Sequence, residues 1–266
     1  MRTLSIILCC ALSALHAFAA EPAKVMLEEM TSVEVQQAAK AAASAVIIPV
    51  GGTEQNGPHM ALGKHNARVT ALAFRIASRL GDTLVAPVVA YVPEGGITPP
   101  EGHMRFSGTL SVSREAFGGI VEGAARSLRQ HGFKTVILLG DHGGYQAQLK
   151  TIADRLNREW SGSVARVEFI EAYYLSAQKP YADVLRNRGL GDAQIGTHAG
   201  SADTSLTLAL VPRLVRSELL EEAAQRGPQA GTVGDPRKAS AALGELGVEL
   251  IVSRTVDAIK AARARR

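Results

Sequence analysis

Several residue types are scarce in this sequence, and their scarcity narrows the chemistry available to it. Among 266 residues there are two cysteines, one tryptophan and 5% aromatic residues. Both cysteines, Cys9 and Cys10, lie in an N-terminal segment that we expect to be removed. The remaining chain would then have no disulfide bond, no thiolate nucleophile and no cysteine ligand for a metal. A metal site would have to use His, Asp and Glu side chains, which favours zinc, manganese or iron.

Dense charge of one sign is also rare. The formal net charge is +4, and basic residues are concentrated only in the C-terminal run 260–266. Such a run is most often the solvated end of a helix, where cations are favourable. Because no stacking aromatic residues accompany it, we predict no nucleic-acid partner.

The N-terminus has the three parts of a secretory signal peptide. Arg2 supplies the positive charge, residues 4–15 are apolar but too short for a stable membrane anchor, and Ala17-Phe18-Ala19 has the spacing of a cleavage site. We predict a signal peptide over residues 1–20, a periplasmic or secreted protein, and no membrane contact after cleavage. An uncleaved anchor is the alternative. Residues 21–266 are long enough for one domain with a well-buried core.

Apolar segments with strand character alternate with helical segments along the chain. Strands are predicted over residues 44–50, 83–90, 135–139 and 164–172. Helices are predicted over residues 33–43, 66–80, 113–130, 145–160, 179–188, 206–211 and 239–264. Pro87 favours an edge position or a bulge in the second strand, and Gly244 and Gly247 are expected to weaken the last helix. The alternation is typical of an α/β fold with a mostly parallel sheet covered on both faces.

Three polar clusters follow the ends of predicted strands or begin predicted helices. They lie between Glu54 and His65, at Asp141-His142, and between His198 and Asp203. Right-handed crossovers bring such junctions to one edge of a parallel sheet, outside the carboxyl ends of the strands. The three clusters are therefore predicted to converge.

A hydrolytic metal site needs about three protein ligands and an open position for water. Glu54, His65 and His142 could supply these ligands. Either His198 or Asp203 could transfer protons, and Asp141 could orient a ligand imidazole. Asp203 could instead cap the helix that follows it.

Two other histidines have open interpretations. His103 lies in the long loop of residues 93–108, and long loops in compact domains are usually functional. It is either a substrate contact or a solvated side chain. His59, beside Pro58, is either a site residue or a turn residue that binds a backbone carbonyl.

Five segments together resemble the creatininase (creatinine amidohydrolase) family. In chain order they are PVGGTEQNGPH at 49–59, FSGTLS at 106–111, GDHGG at 140–144, HAGSADTS at 198–205 and GDPRKA at 234–239. The resemblance implies a three-layer αβα sandwich, a divalent-metal site and hydrolysis of a C–N bond in a cyclic or linear amide. It also implies a homo-oligomer, often a hexamer.

By position, Glu54 and His142 match metal ligands of the family, and His198 matches a histidine proposed to relay protons. Asp203 stands where the family usually has a glutamate. Two departures alter the expected metal site. Asn56 replaces a histidine ligand, and His65 replaces an aspartate that bridges two metal ions in creatininase.

These departures predict a single divalent ion. A carboxylate can bridge two ions with its two oxygens, whereas a neutral imidazole offers one free nitrogen. Gly144 also lacks the carboxylate that creatininase has there. We predict one ion, zinc with manganese or iron as alternatives, held by Glu54, His65 and His142. The predicted catalytic residues are His198 and Asp203, and the predicted substrate-binding or supporting residues are Asn56, His59, His103, Asp141 and Ser201.

The sequence thus predicts an exported member of this family, an amidohydrolase that uses a metal-activated water on C–N bonds other than peptide bonds. Its substrate would be a small-molecule amide, and the altered site argues against creatinine. One alternative is deformylation or peptide-end cleavage on the same scaffold. The other is a non-catalytic periplasmic protein that binds a small molecule or a metal.

Overall fold

The computed structural model describes residues 24–40 and 44–265. The predicted signal peptide lies outside this part. A parallel sheet of four strands forms the centre of the fold, with the strands β1 (Ala45–Val50), β2 (Thr83–Val85), β3 (Thr135–Gly140) and β4 (Arg166–Phe169). Their spatial order is β2-β1-β3-β4. The predicted parallel sheet is therefore confirmed.

Helices connect and cover these strands. In the described part of the chain they are α1 (Ser32–Ala39), α2 (Lys64–Leu80), α3 (Arg114–Gln130), α4 (Gln146–Glu159), α5 (Glu171–Ala177), α6 (Lys179–Arg186), α7 (Asp192–Ile195), α8 (Ser201–Leu210), α9 (Leu220–Arg226) and α10 (Ala241–Ala264). None of them combines the length and apolarity that crossing a membrane would require.

The two central strands are buried on both faces. Strands β1 and β3 pair in register from Ala45 opposite Thr135 to Val50 opposite Gly140, and every residue of both is buried. This burial explains their continuous apolar sequences. The edge strand β2 is shorter than the predicted segment 83–90, because Pro87 cannot donate to a ladder. The pairing with β1 is interrupted there and resumes in a bridge between Val50 and Val89.

Two apolar cores enclose the sheet. Ile47 and Leu139 pack on one face with α2, α5, α6, α8 and α10. Ile48 and Leu138 pack on the other face with α3 and α4. The arrangement is the three-layer αβα sandwich that the resemblance implied.

The glycines of α10 do not interrupt it. The helix runs unbroken through Gly244 and Gly247. A Cβ at Gly244 would lie 1.9 Å from the carbonyl oxygen of Ser205, and one at Gly247 would lie 2.6 Å from the ring of Tyr181. These glycines instead let α10 approach its neighbours closely.

Two helices begin earlier than predicted. Helix α2 begins at Lys64 rather than at residue 66, and α8 begins at Ser201 rather than at residue 206. As a result, His65 and Asp203 both lie in first helical turns. The strand predicted over residues 164–172 ends at Phe169, and α5 follows from Glu171.

Candidate metal centre

The loops that follow β1 and β3 lie side by side at the carboxyl edge of the sheet. The backbone is compact there, since a Cβ at Gly51 would lie 2.2 Å from Asn66 Oδ1. Gly52 has a φ of 155°, and a Cβ there would lie 2.3 Å from Glu94 Oε1. Only glycine fits at both positions, which is why a Gly-Gly pair precedes the polar cluster.

The hydroxyl of Tyr145 joins the two loops. Its single O–H is shared between the carbonyl oxygens of Val50 and Gly51, at 2.8 and 2.6 Å. It accepts from the backbone N–H groups of Asp141 and His142, at 3.1 and 3.0 Å. The side chain is fully buried, so this junction is rigid and positions both polar clusters together.

Glu54 lies at the middle of the site, fully buried. Four histidines each place one ring nitrogen near its carboxylate. The distances to the nearer oxygen are 2.7 Å for His65 Nε2, 3.1 Å for His103 Nε2, 3.4 Å for His142 Nε2 and 3.8 Å for His198 Nδ1. The predicted convergence of the clusters is therefore observed, and it includes a histidine from the long loop.

The other ring nitrogen of His142 accepts from the backbone N–H of Gly144 at 3.3 Å and lies 3.5 Å from the carboxyl group of Glu94. The other ring nitrogen of His65 faces a second carboxylate, with Nδ1 2.6 Å from Asp141 Oδ2. A histidine that binds a metal commonly has such a partner, which fixes the ring orientation and the tautomer. Asp141 thus has the orienting position that the sequence predicted.

Gln55 contacts the other two histidines. Its backbone carbonyl oxygen lies 3.0 Å from His198 Nε2, and its side-chain nitrogen lies 3.0 Å from His103 Nδ1. The backbone N–H of Gln55 donates to Thr109 Oγ1 at 3.1 Å. The FSGTLS segment therefore braces the loop that carries Glu54.

The donor atoms have the spacing of a metal site. One atom from each of Glu54, His65 and His142 lies within 4.8 Å of the others, as does one from each of Glu54, His103 and His198. Bonds of 2.0–2.2 Å in a tetrahedral site place ligand atoms about 3.4 Å apart. In addition, Glu54 Oε2 has no hydrogen bond from any described residue. The first triad is the predicted ligand set, and the geometry fits a divalent ion.

The protonation states of His142 and Glu54 also suit metal binding. Burial lowers the pKa of His142 to about 3, so its ring is neutral at pH 7. Burial raises the pKa of Glu54, but the hydrogen bond with His65 and the nearby charges of His65 and Lys64 outweigh it, so the pKa lies well below its usual range. A neutral imidazole and an ionised carboxylate are the forms that bind metals.

Sequence reasoning missed two buried cations beside the site. Arg68 donates from Nε to Asp141 at 2.8 Å and from Nη1 to Asp203 at 2.7 Å. Lys64 is fully buried, with Nζ 3.3 Å from Asp203 Oδ2 and 3.8 Å from Glu54 Oε1. The signal was the pair of basic residues four apart that flank His65, but the predicted helix began after Lys64.

Glu94 was also missed as a site residue. Both its carboxylate oxygens are buried without a hydrogen bond from a described residue. Burial and the charge of Glu54 raise its pKa to about 9. An acidic residue next to glycines in a long loop was the available signal.

Three predicted site residues brace the surrounding loops. Asn56 donates to the Glu54 carbonyl oxygen at 2.8 Å, and His59 Nε2 lies 2.9 Å from the hydroxyl of Thr204. Ser201 donates to the Asp235 carbonyl oxygen at 2.6 Å. These contacts hold the loops that surround the centre. Substrate contacts by these residues remain a prediction.

Comparisons with known proteins agree with this architecture. The family model for creatininase, described as creatinine amidohydrolase, matches residues 28–259. A creatinine amidohydrolase of Pseudomonas putida is 28% identical over 253 residues, which cover 89% of this chain and 96% of that protein. A mycofactocin precursor peptide peptidase of Mycobacterium tuberculosis is 29% identical over 224 residues, covering 75% of this chain and 78% of that protein.

Solved creatininase structures are similar over nearly their whole length. One superimposes with a TM-score of 0.75 at 28% identity, covering 89% of this chain and 97% of the other. A variant of Zn-Zn type has a TM-score of 0.75 at 27% identity, and a manganese form has 0.73 at 28%. Each of these two covers 90% of this chain and 98% of the other. Since the family model spans well over half of the sequence, the chain belongs to the creatininase family.

Proposed function

We propose that this protein is a metal-dependent hydrolase of amide C–N bonds. The observation that supports this most strongly is the triad of Glu54, His65 and His142. In this triad, both imidazoles face the Glu54 carboxylate through Nε2, and His65 also contacts the Asp141 carboxylate through Nδ1. A divalent ion held there would lower the pKa of a bound water and polarise a substrate carbonyl. We propose one such ion, zinc, with manganese as the alternative.

His198 is suited to moving the proton that amide hydrolysis must deliver to the leaving nitrogen. Its Nε2 lies 3.0 Å from the Gln55 carbonyl oxygen and 3.1 Å from the Gln55 side-chain nitrogen, and its Nδ1 faces the centre. We assign the tautomer in which Nε2 donates to the carbonyl oxygen, which leaves the lone pair on Nδ1. Burial and the charge of Lys64 lower the pKa of His198 to about 4, so the ring is a neutral acceptor at pH 7. Nδ1 is the atom to which we assign proton transfer.

Asp203 is better placed as an anchor than as a proton carrier. Its carboxylate binds Arg68, Lys64 and the backbone N–H of Ala199. Burial raises its pKa, but the charges of Lys64 and Arg68 outweigh that effect and hold the pKa well below its usual range. The carboxylate therefore stays ionised and fixes both cations.

The substrate we propose is a small amide that reaches the centre from the surface. The side chains of His103, His142 and His198 remain 27%, 18% and 15% exposed, so a ligand can approach them. The Mycobacterium relative is a precursor peptide peptidase, which makes peptide-end cleavage the second candidate. We also propose that the protein is exported and forms a homo-oligomer.

Metal analysis of the purified protein with its Glu54→Ala and His142→Ala variants tests the proposal. We expect about one equivalent of tightly bound metal in the wild type and almost none in either variant, because each loses one of three ligands. Circular dichroism should show that both variants remain folded. His131→Ala, a change at the exposed end of α3, is the matched control. Stoichiometric metal in either ligand variant would contradict the assignment.

A substrate screen then separates the candidate functions. Metal-loaded protein should be incubated with lactams, cyclic ureas, formamides and short peptides, and released amines should be quantified. Turnover of the first three classes supports a small-molecule amidohydrolase, whereas turnover of peptides alone supports the peptidase alternative. Ligand binding without any turnover, or less than half an equivalent of metal in the wild type, would favour a non-catalytic binding protein.

A further inference from the structure

The centre contains ligand atoms for more than one metal ion. The triad of Glu54, His103 and His198 shares its carboxylate with the triad assigned above, and its donor atoms also lie within 4.8 Å of one another. His103 Nε2 and His198 Nδ1 lie 3.1 and 3.8 Å from Glu54 oxygens. We call this second group the loop triad, because His103 belongs to the long loop. The spacing of the donor atoms alone therefore does not favour one ion over two.

Lys64 supplies a positive charge beside both triads. Its side chain is fully buried, and Nζ lies 3.8 Å from Glu54 Oε1. Lys64 belongs to the first turn of α2, and Asp203 in α8 holds its Nζ at 3.3 Å. Because it is enclosed by protein, its charge is screened little by solvent.

The charges around the centre can be counted directly. Three carboxylates, Glu54, Asp141 and Asp203, are ion-paired with two cations, Lys64 and Arg68. With neutral imidazoles the group has one net negative charge, or two if Glu94 is counted as ionised. One divalent ion brings this to one positive charge or to neutrality, and a second would raise it to three or two positive charges. Uncompensated positive charge of that size in a buried centre is strongly disfavoured.

The influence of Lys64 extends to the loop triad. Glu54 belongs to both triads, so the Lys64 charge 3.8 Å from Glu54 Oε1 lies beside both. A positive charge at that position opposes a metal cation in the loop triad as well.

We propose that Lys64 acts as a built-in cation that restricts the centre to one divalent ion, and that neutralising it opens the loop triad as a second metal site. The proposal rests on the proposed function, since it assumes that the first triad binds an ion. It makes Lys64 a determinant of metal number rather than a catalytic residue.

Zinc stoichiometry by equilibrium dialysis and mass spectrometry tests this proposal in the full protein. We expect one equivalent for the wild type and two for Lys64→Met, which keeps the length of the side chain but removes its charge. The first ion should also bind about tenfold more tightly or better, because a unit charge this close opposes a divalent ion by at least that factor. The double variant Lys64→Met with His103→Ala should return to one equivalent.

Two matched controls accompany these variants. Lys150→Met makes the same substitution at an exposed lysine that pairs with Asp154, and it should leave one equivalent at unchanged affinity. Lys64→Arg retains the charge and should also bind one ion.

Three results would overturn the proposal. They are two equivalents in the wild type, an unchanged single equivalent in folded Lys64→Met, and a second equivalent that persists without His103. If Lys64→Met does not fold, His103→Ala alone decides, since the proposal requires it to leave the first ion and its affinity unchanged. A wild type that binds no metal would refute the proposed function itself, which distinguishes the two failures.

Discussion

At the scale of single residues, Asp141 connects the metal centre to the rest of the fold. One oxygen contacts His65 Nδ1 at 2.6 Å and Arg68 Nε at 2.8 Å, and the other accepts from the hydroxyl of Tyr173 at 2.6 Å. Burial raises its pKa, but Arg68 and His65 outweigh this and hold the pKa below its usual value. The ionised carboxylate is thus favoured, and it is the form that accepts from His65.

Asp141→Asn should weaken metal binding without removing a ligand. The amide keeps the shape but loses the charge that orients His65, and removal of such a partner typically costs 10–100-fold in affinity. Competition with a chelator measures this change. Asp154→Asn, at an exposed residue of α4, is the matched control and should have no effect. Unchanged zinc affinity in Asp141→Asn would show that His65 is oriented by other contacts.

At the scale of secondary-structure elements, the packing of α10 on α8 depends on Gly244. Gly244→Ala should destabilise the protein by about 1–3 kcal/mol, because its Cβ would overlap the backbone of Ser205. Gly123→Ala, in the exposed face of α3, meets no atom within 4 Å. It should instead stabilise by about 0.5–1 kcal/mol, since alanine favours helix. Urea unfolding of both variants measures the two free energies, and equal effects would refute the packing explanation.

The same elements show what the sequence can and cannot predict. Buried strands with glycines after them locate Glu54 and His142, because their apolar runs and the parallel topology are local signals. The positions of Lys64 and Arg68 in the site depend on one shared partner, Asp203, which lies 139 and 135 residues away in the sequence. No local pattern reveals such pairing. Polar first turns of α2 and α8 also conceal the true helix starts, because their side chains face the site rather than an apolar core.

For the whole molecule, the site dictates an unusual dependence of stability on pH. Burial lowers the pKa of His59 and His198 to about 4 and that of His142 to about 3. It raises the pKa of Glu94 to about 9. Between pH 4 and 6.5 the unfolded chain binds more protons at the three histidines, which outnumber Glu94, so stability rises with pH. Above pH 6.5 only Glu94 acts, and the folded chain retains a proton that the unfolded chain has lost, so stability falls as pH approaches 9.

The metal-free protein should therefore be most stable near pH 6.5, with the midpoint of thermal unfolding falling on both sides. Scanning calorimetry in a chelator across pH 4.5–9 measures this profile. Glu94→Gln is the deciding variant, because its amide remains neutral at every pH. It should remove the alkaline fall and steepen the rise on the acid side, since the histidines still lose their neutral form there and the opposing proton of Glu94 is gone. An alkaline fall of the same size in Glu94→Gln would mean that another group, and not this buried carboxyl, releases the proton on unfolding.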